Sequence, residues 1–156
     1  MKINRRKVPE YGGWSANISP VLQRIFASRG VTSPDQAELK LANLLSPDQM
    51  GGMDKAVDLL LEAIQKQKHI VIVGDFDCDG ATGTAVAMRG LKMLGAECVS
   101  YQVPHRIVHG YGLSSALVEH IVPIKPELII TVDNGIACHA GVAAAKAHGW
   151  QVLITD

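Results

Sequence analysis

Residues 70–83, I-V-I-V-G-D-F-D-C-D-G-A-T-G, constrain the fold of this chain more than any other stretch. Ile70, Val71, Ile72 and Val73 form a β-branched apolar run short enough to be a strand covered on both faces. Gly74 follows, then three alternating carboxylates, Asp75, Asp77 and Asp79, closed by Gly80. A strand that hands acids to a glycine-bounded loop, with a helix-like pattern after it, is how open α/β sheets build sites. Two carboxylates ~4 Å apart at an effective dielectric of ~20 repel by roughly 4 kcal/mol. No lysine or arginine lies between Lys68 and Arg89 to offset that repulsion locally. A solvated acidic turn would leave each Asp in water. Three acids behind a fully apolar strand favour a hard-cation site instead, because oxygen ligands suit Mg²⁺ or Mn²⁺.

The pattern around this stretch alternates. A first strand is predicted over residues 69–74, a helix over about 81–94 ended by Gly95, and a second strand over about 97–103. A loop with two glycines, P-H-R-I-V-H-G-Y-G-L, comes next. Ser114 or Ser115 caps a helix to about Val122, and Pro123 and Pro126 frame a turn. A third strand over residues 128–132, a helix over about 138–148 and a fourth strand over 152–155 complete the run. Apolar strands alternating with helices make a parallel sheet with right-handed crossovers. The expected fold class is therefore α/β, a parallel sheet of about four or five strands with helices on both faces.

A small helical segment precedes it. Residues 1–17 show no period and read as irregular. Ser19-Pro20 is an N-cap with proline at the first helical position, opening a helix to about Arg29 that Gly30 stops. Ser33-Pro34-Asp35 repeats the signal and predicts a second helix through about Leu45. The loop S-P-D-Q-M-G-G, residues 46–52, is the best boundary, dividing an N-terminal arm and helical segment (1–50) from the α/β part (51–156). Met53, Ala56, Val57, Leu60, Leu61 and Ile64 then recur with helical period and predict an amphipathic helix packing on a core.

At 156 residues and 47% hydrophobic content the chain has material for one proper core. No segment approaches the ~20 apolar residues of a membrane span. The basic N-terminus lacks a following apolar stretch, so no secretory signal is expected. Cys78, Cys98 and Cys138 are odd in number and form no C-x-x-C pair, which predicts reduced thiols in a cytoplasmic protein. Cys98 and Cys138 read as small core-filling residues. Net charge is zero but uneven: residues 1–29 carry six Lys/Arg against Glu10, and residues 30–80 carry four basic and nine acidic side chains. The basic N-terminus (Lys2, Arg5, Arg6, Lys7) reads as a solvated arm able to touch a phosphate backbone.

Parallel topology gathers the acids. The first strand runs into Asp75, the third into Asp133 and the fourth into Asp156, and parallel strands place their carboxyl ends on one edge. Asp133 is followed by Asn134-Gly135, a tight turn suited to a strand-end acid.

Three segments carry a resemblance: V-G-D-F-D-C-D-G-A-T-G-T (73–84), V-P-H-R-I-V-H-G-Y-G-L (103–113) and I-T-V-D-N-G (130–135). In that order and spacing the sequence resembles the DHH phosphoesterases, and within them the exonucleases that degrade single-stranded DNA from 5′ to 3′ in repair and recombination. The likeness extends over nearly the whole chain, including A-S-R-G-V at 27–31. It implies two Mn²⁺ or Mg²⁺ ions, with Asp77, Asp79 and Asp133 as catalytic ligands and Asp75 a ligand or support. The family takes its name from an Asp-His-His after the last strand here, of which this sequence supplies Asp156 as a further metal ligand. The resemblance is thus to the front part of such an enzyme, and the 156 residues alone are expected to fold yet be nearly inert. Cys78 stands where the family often has alanine, and His109 where an acid is common. Arg106, with His105 or His109 beside it, and Tyr111 are candidates for contacting nucleic acid. A single-strand-binding protein or a helicase is implied as a partner.

Two cations can orient a phosphodiester, lower the pKa of a bound water and stabilise the leaving oxygen. No Ser-His or Cys-His device is evident. A phosphatase using an Asp nucleophile also fits a strand followed by D-x-D, but needs a lysine near the sheet edge that the sequence does not place. A Rossmann-type nucleotide-binding module fits less well, because Gly74, Gly80 and Gly83 do not make G-x-G-x-x-G and three acids repel a pyrophosphate. Within the DHH group a pyrophosphatase or a small-oligonucleotide phosphodiesterase is the alternative.

Overall fold

The structure, a computed structural model, describes residues 7–38 and 40–156. Lys2, Arg5 and Arg6 of the expected basic arm lie outside the described residues. The chain divides into two compact units, residues 1–50 and 51–156. Among the described residues no helix is long and apolar enough to cross a membrane.

In the first unit, α1 (Pro20–Ser28) begins where proline and its cap predict, with the Ser19 hydroxyl accepting from the Leu22 N–H at 3.3 Å. Trp14 stacks on Phe26 with centroids 5.2 Å apart, and Ala27 is buried. The second helix is much shorter than its signal suggests. α2 (Pro34–Ala37) is a single turn, and Glu38 is already extended. A 3₁₀ turn over Leu41–Asn43 follows. Leu41, Leu44 and Leu45 are strongly exposed, so no buried apolar face holds a longer helix together.

The second unit is a four-stranded, wholly parallel sheet in the order β2-β1-β3-β4. Its elements are α3 (Met53–Gln65), β1 (Ile70–Val73), α4 (Cys78–Met93), β2 (Val99–Gln102), α5 (Ser115–Ile121), β3 (Leu128–Val132), α6 (His139–Ala147) and β4 (Gln151–Thr155). The period-2 alternation of the strands sorts two cores. Ile70, Ile72, Leu128 and Ile130 pack on one face with Ala63 of α3 and Leu91 of α4. Val73 and Ile129 pack on the other with Leu117, Val118 and Ile121 of α5 and Ala145 of α6. Every residue of β1 is fully buried, as a central parallel strand requires.

Three expectations change in detail. The inward face of α3 is Leu59, Leu60, Ala63 and Ile64, whereas Val57 and Leu61, read from the pattern as core-facing, are exposed. Cys138 packs against the second core, but Cys98 is exposed, because it precedes β2 at the rim of the sheet. All three cysteines are free thiols. Finally, α4 starts at Cys78, inside what the sequence presents as a loop, so Asp79 belongs to its first turn.

Candidate metal centre

β1 and β3 are hydrogen-bonded neighbours, with Val73 paired to Thr131. The chain leaves β1 for β2 on one side and returns to β3 on the other. The strand order therefore reverses between them, and the crevice at their carboxyl ends is the switch point where α/β sheets bind ligands. Asp75 and Asp77 lie just beyond β1, and Asp133 just beyond β3. One carboxylate oxygen from each of these three residues lies within 4.8 Å of the other two.

Each acid is held differently. Asp75 is buried, and its Oδ1 accepts from the Phe76 N–H at 2.8 Å. Gly80 allows this: a Cβ there would lie 2.8 Å from the Asp75 Cβ. Asp77 is exposed and caps α4, its Oδ1 accepting from the Gly80 N–H at 3.0 Å. Asp133 is half-buried, and its backbone takes the left-handed region at φ 58°. A carboxylate has two oxygens and about four lone pairs, so the cap leaves Asp77 able to accept more.

The charges are felt. The Asp79 carboxylate above all, then burial, then Asp77, Asp156 and Asp75 push the Asp133 pKa above its ordinary value. No salt bridge among the described residues reaches these acids. The positive end of the sixteen-residue α4 opens at the cluster and offsets part of its charge. Crowded hard oxygens without an ion-pair partner, just beyond two strand ends, are a donor set that fits a divalent cation such as Mg²⁺ or Mn²⁺. Asp79 and Asp156 stand outside the three-residue cluster, though near enough to raise Asp133. Asp156 Oδ2 accepts from the Ile136 N–H at 2.9 Å, which ties the end of β4 to the turn after Asp133.

The nucleic-acid candidates line the same edge. Tyr111 donates its hydroxyl to the Asp133 carbonyl at 2.8 Å, and burial followed by the charges of Asp75 and Asp133 raises its pKa. Arg106 lies over the Phe76 ring at 3.8 Å, so the loop after β2 leans on the loop after β1. The exposed His105 donates its backbone N–H to His109 Nδ1 at 3.1 Å. A groove of about 300 Å³ runs alongside, lined among others by Tyr111, Gly135, Cys138 and Asp156. Sequence reasoning missed Phe76, to which it assigns no role, and Asn134, read only as half of a tight turn. Phe76 carried no signal. Asn134 is fully buried, which an Asn-Gly pair does not announce.

Residues 69–156 match the model described as "DHH family, N-terminal domain". This chain belongs to the DHH family. It is 43% identical over 155 residues to the single-stranded-DNA-specific exonuclease RecJ of Salmonella typhimurium, covering 99% of this chain and 27% of that protein. A crystal structure of exonuclease RecJ bound to manganese aligns with a TM-score of 0.63 at 40% identity, over 72% of this chain and 29% of that one. RecJ from Thermus thermophilus in complex with Mn²⁺ aligns with a TM-score of 0.61 at 32% identity, over 84% of this chain and 18% of that one. The DHH chain spans about a quarter of the length of the curated relatives it matches.

Proposed function

We propose that this DHH chain is the front part of a metal-dependent exonuclease that degrades single-stranded DNA from the 5′ end. Residues 51–156 would be the first part of its catalytic domain and residues 1–50 an arm and helical segment ahead of it. The observation that carries the reading is the meeting of Asp75, Asp77 and Asp133 at the β1/β3 switch point, with oxygens within 4.8 Å of one another. Asp75, Asp77 and Asp133 hold a divalent ion, and Asp79 and Asp156 add charge or oxygens at its margin. Mn²⁺ or Mg²⁺ bound there would polarise a phosphodiester and make water a competent nucleophile at neutral pH.

The chain's own residues supply the rest. Arg106 presents a guanidinium at the mouth of the site, where planar paired donors suit phosphate oxygens. Stacking on Phe76 holds it there without spending its hydrogen-bond donors. Tyr111 fixes the turn that bears Asp133 and presents an exposed ring beside it on which a base could stack. His105 adds a donor on the same loop. The exposed aromatic and cationic groups around the acids favour a flexible single strand, whose bases can stack, over a rigid duplex. The identity to RecJ proteins described as specific for single-stranded DNA supports this substrate. Free thiols support a cytoplasmic protein, and a single-strand-binding protein or a helicase is the proposed partner at the DNA end.

The test is hydrolysis of 5′- and 3′-end-labelled single-stranded DNA, duplex DNA, dinucleotides and pyrophosphate by the intact protein with Mn²⁺. Release from the 5′ end of single strands, lost in Asp77→Ala, is expected. Preference for pyrophosphate or dinucleotides would transfer the reading to another DHH phosphoesterase. Near-normal turnover by Asp77→Ala would remove the ligand assignment altogether.

A further inference from the structure

Between the acids of β1 and the acid of β3 lies one side chain that touches both strands. Asn134 is fully buried. Its Nδ2 donates to the Val73 carbonyl at 3.1 Å and to the Val132 carbonyl at 2.9 Å, the last residues of β1 and β3. Its Oδ1 accepts from the Leu113 N–H at 3.1 Å, where the loop bearing Arg106 and Tyr111 runs into α5. Gly112, at φ 63°, packs so closely that a Cβ there would lie 3.0 Å from Asn134 Oδ1. One amide group thus joins the three segments that deliver the site residues. Asp75 follows Val73 by two positions, and Asp133 follows Val132 directly, so the spacing of the acids depends on how these two strand ends are held. An amide on so short a stem offers two donors and an acceptor. An ionised Asp offers no donor, an aliphatic group offers neither, and Gln carries its amide one carbon further out.

The geometry points to Asn134 as a positioning residue that sets the distance between the Asp75–Asp77 loop and Asp133, and through it the affinity of the site for a divalent ion. The inference rests on the metal-centre reading above and assigns Asn134 no contact with ion or substrate. Groups that orient metal ligands from behind typically change affinity by about 10–100-fold when removed.

The measurement is the Mn²⁺ dissociation constant, read from the electron paramagnetic resonance signal of free Mn²⁺ during titration of the intact protein. Wild type is compared with Asn134→Ala, Asn134→Gln and Leu128→Ala. Asn134→Gln keeps the amide without added charge but carries it one carbon further out. Leu128→Ala truncates the core at the opposite end of β3 and controls for lost stability alone. The expected result is a loss of about tenfold or more in Mn²⁺ affinity for both Asn134 variants, with Leu128→Ala close to wild type. Excess Mn²⁺ should restore hydrolysis to Asn134→Ala but not to Asp133→Asn, which loses a ligand. If Asn134→Ala does not fold, Asn134→Gln carries the same reading. Unchanged affinity in the folded Asn134 variants, or an equal loss in Leu128→Ala, overturns the inference while leaving the metal centre standing. A wild-type protein that takes up no Mn²⁺ overturns both.

Discussion

Asp133 sits at φ 58°, a region that non-glycine residues seldom enter and that Asp and Asn tolerate best. Its carboxyl is also the one whose pKa is raised by its neighbours, Asp79 foremost. Both facts argue for Asn rather than Ala as the informative replacement. Asp133→Asn keeps a side chain the backbone accepts and removes one of the crowded charges. Its melting temperature without metal is expected to exceed that of wild type, while stabilisation by Mn²⁺ and hydrolysis by the intact protein are lost. A variant less stable than wild type in the absence of metal would show that the acids do not strain the fold. At the same scale, Cys78, Cys98 and Cys138 should all react in a thiol count under denaturing, non-reducing conditions. A count of one would mean that two of them pair.

Two element junctions make separable predictions. At the end of α3, Glu62 accepts from Lys66 and Lys68, both at 2.9 Å, and Lys68 also reaches Gln151 at the start of β4. These lysines, Lys68 foremost, lower the Glu62 pKa from 4.5 to about 2. The folded-state value lies below the unfolded one. The ion pair therefore stabilises the fold above about 4.5 and is lost as pH falls toward about 2. Glu62 is partly exposed, so solvent keeps the effect modest. Glu62→Gln should lower stability at neutral pH and flatten its decline across that acidic window, as read by denaturant unfolding at each pH. The second junction is α6 against the loop before α5. A Cβ on Gly141 would collide with the Leu113 carbonyl oxygen, backbone that cannot swing aside. Gly141→Ala is expected to cost about 1–3 kcal/mol. A neutral result would mean that α6 can ride outward. Sequence patterns located both junctions' elements but neither junction, because a close approach of backbones leaves no periodic signal.

For the 156 residues as a whole, a melt with Mn²⁺ should show a modest, concentration-dependent gain. At roughly ten times its dissociation constant the ion adds about 1.4 kcal/mol by mass action. Labelled single-stranded DNA should survive, since a cluster on an open sheet edge does not hold a phosphodiester to the tolerance that hydrolysis needs. Processive degradation by these 156 residues would refute that argument. How much of this was legible beforehand differs by level. The β-branched run at Ile70–Val73, the serine–proline caps and the acids at three strand ends were local, and local patterning is what a sequence states directly. The parallel α/β class followed from the alternation of elements. The second helix stops at Ala37, short of the Leu45 that its cap suggests, because a cap signal says where a helix can start and burial decides how far it runs. The strand order β2-β1-β3-β4 is written nowhere in the chain. By itself the sequence determined which acids stand at strand ends. Only the tertiary structure decided that β1 and β3 lie side by side, so that Asp75, Asp77 and Asp133 meet while Asp79 and Asp156 stand at the margin. Pairing between strands more than fifty residues apart is settled by packing both faces of the sheet at once, not by any local preference.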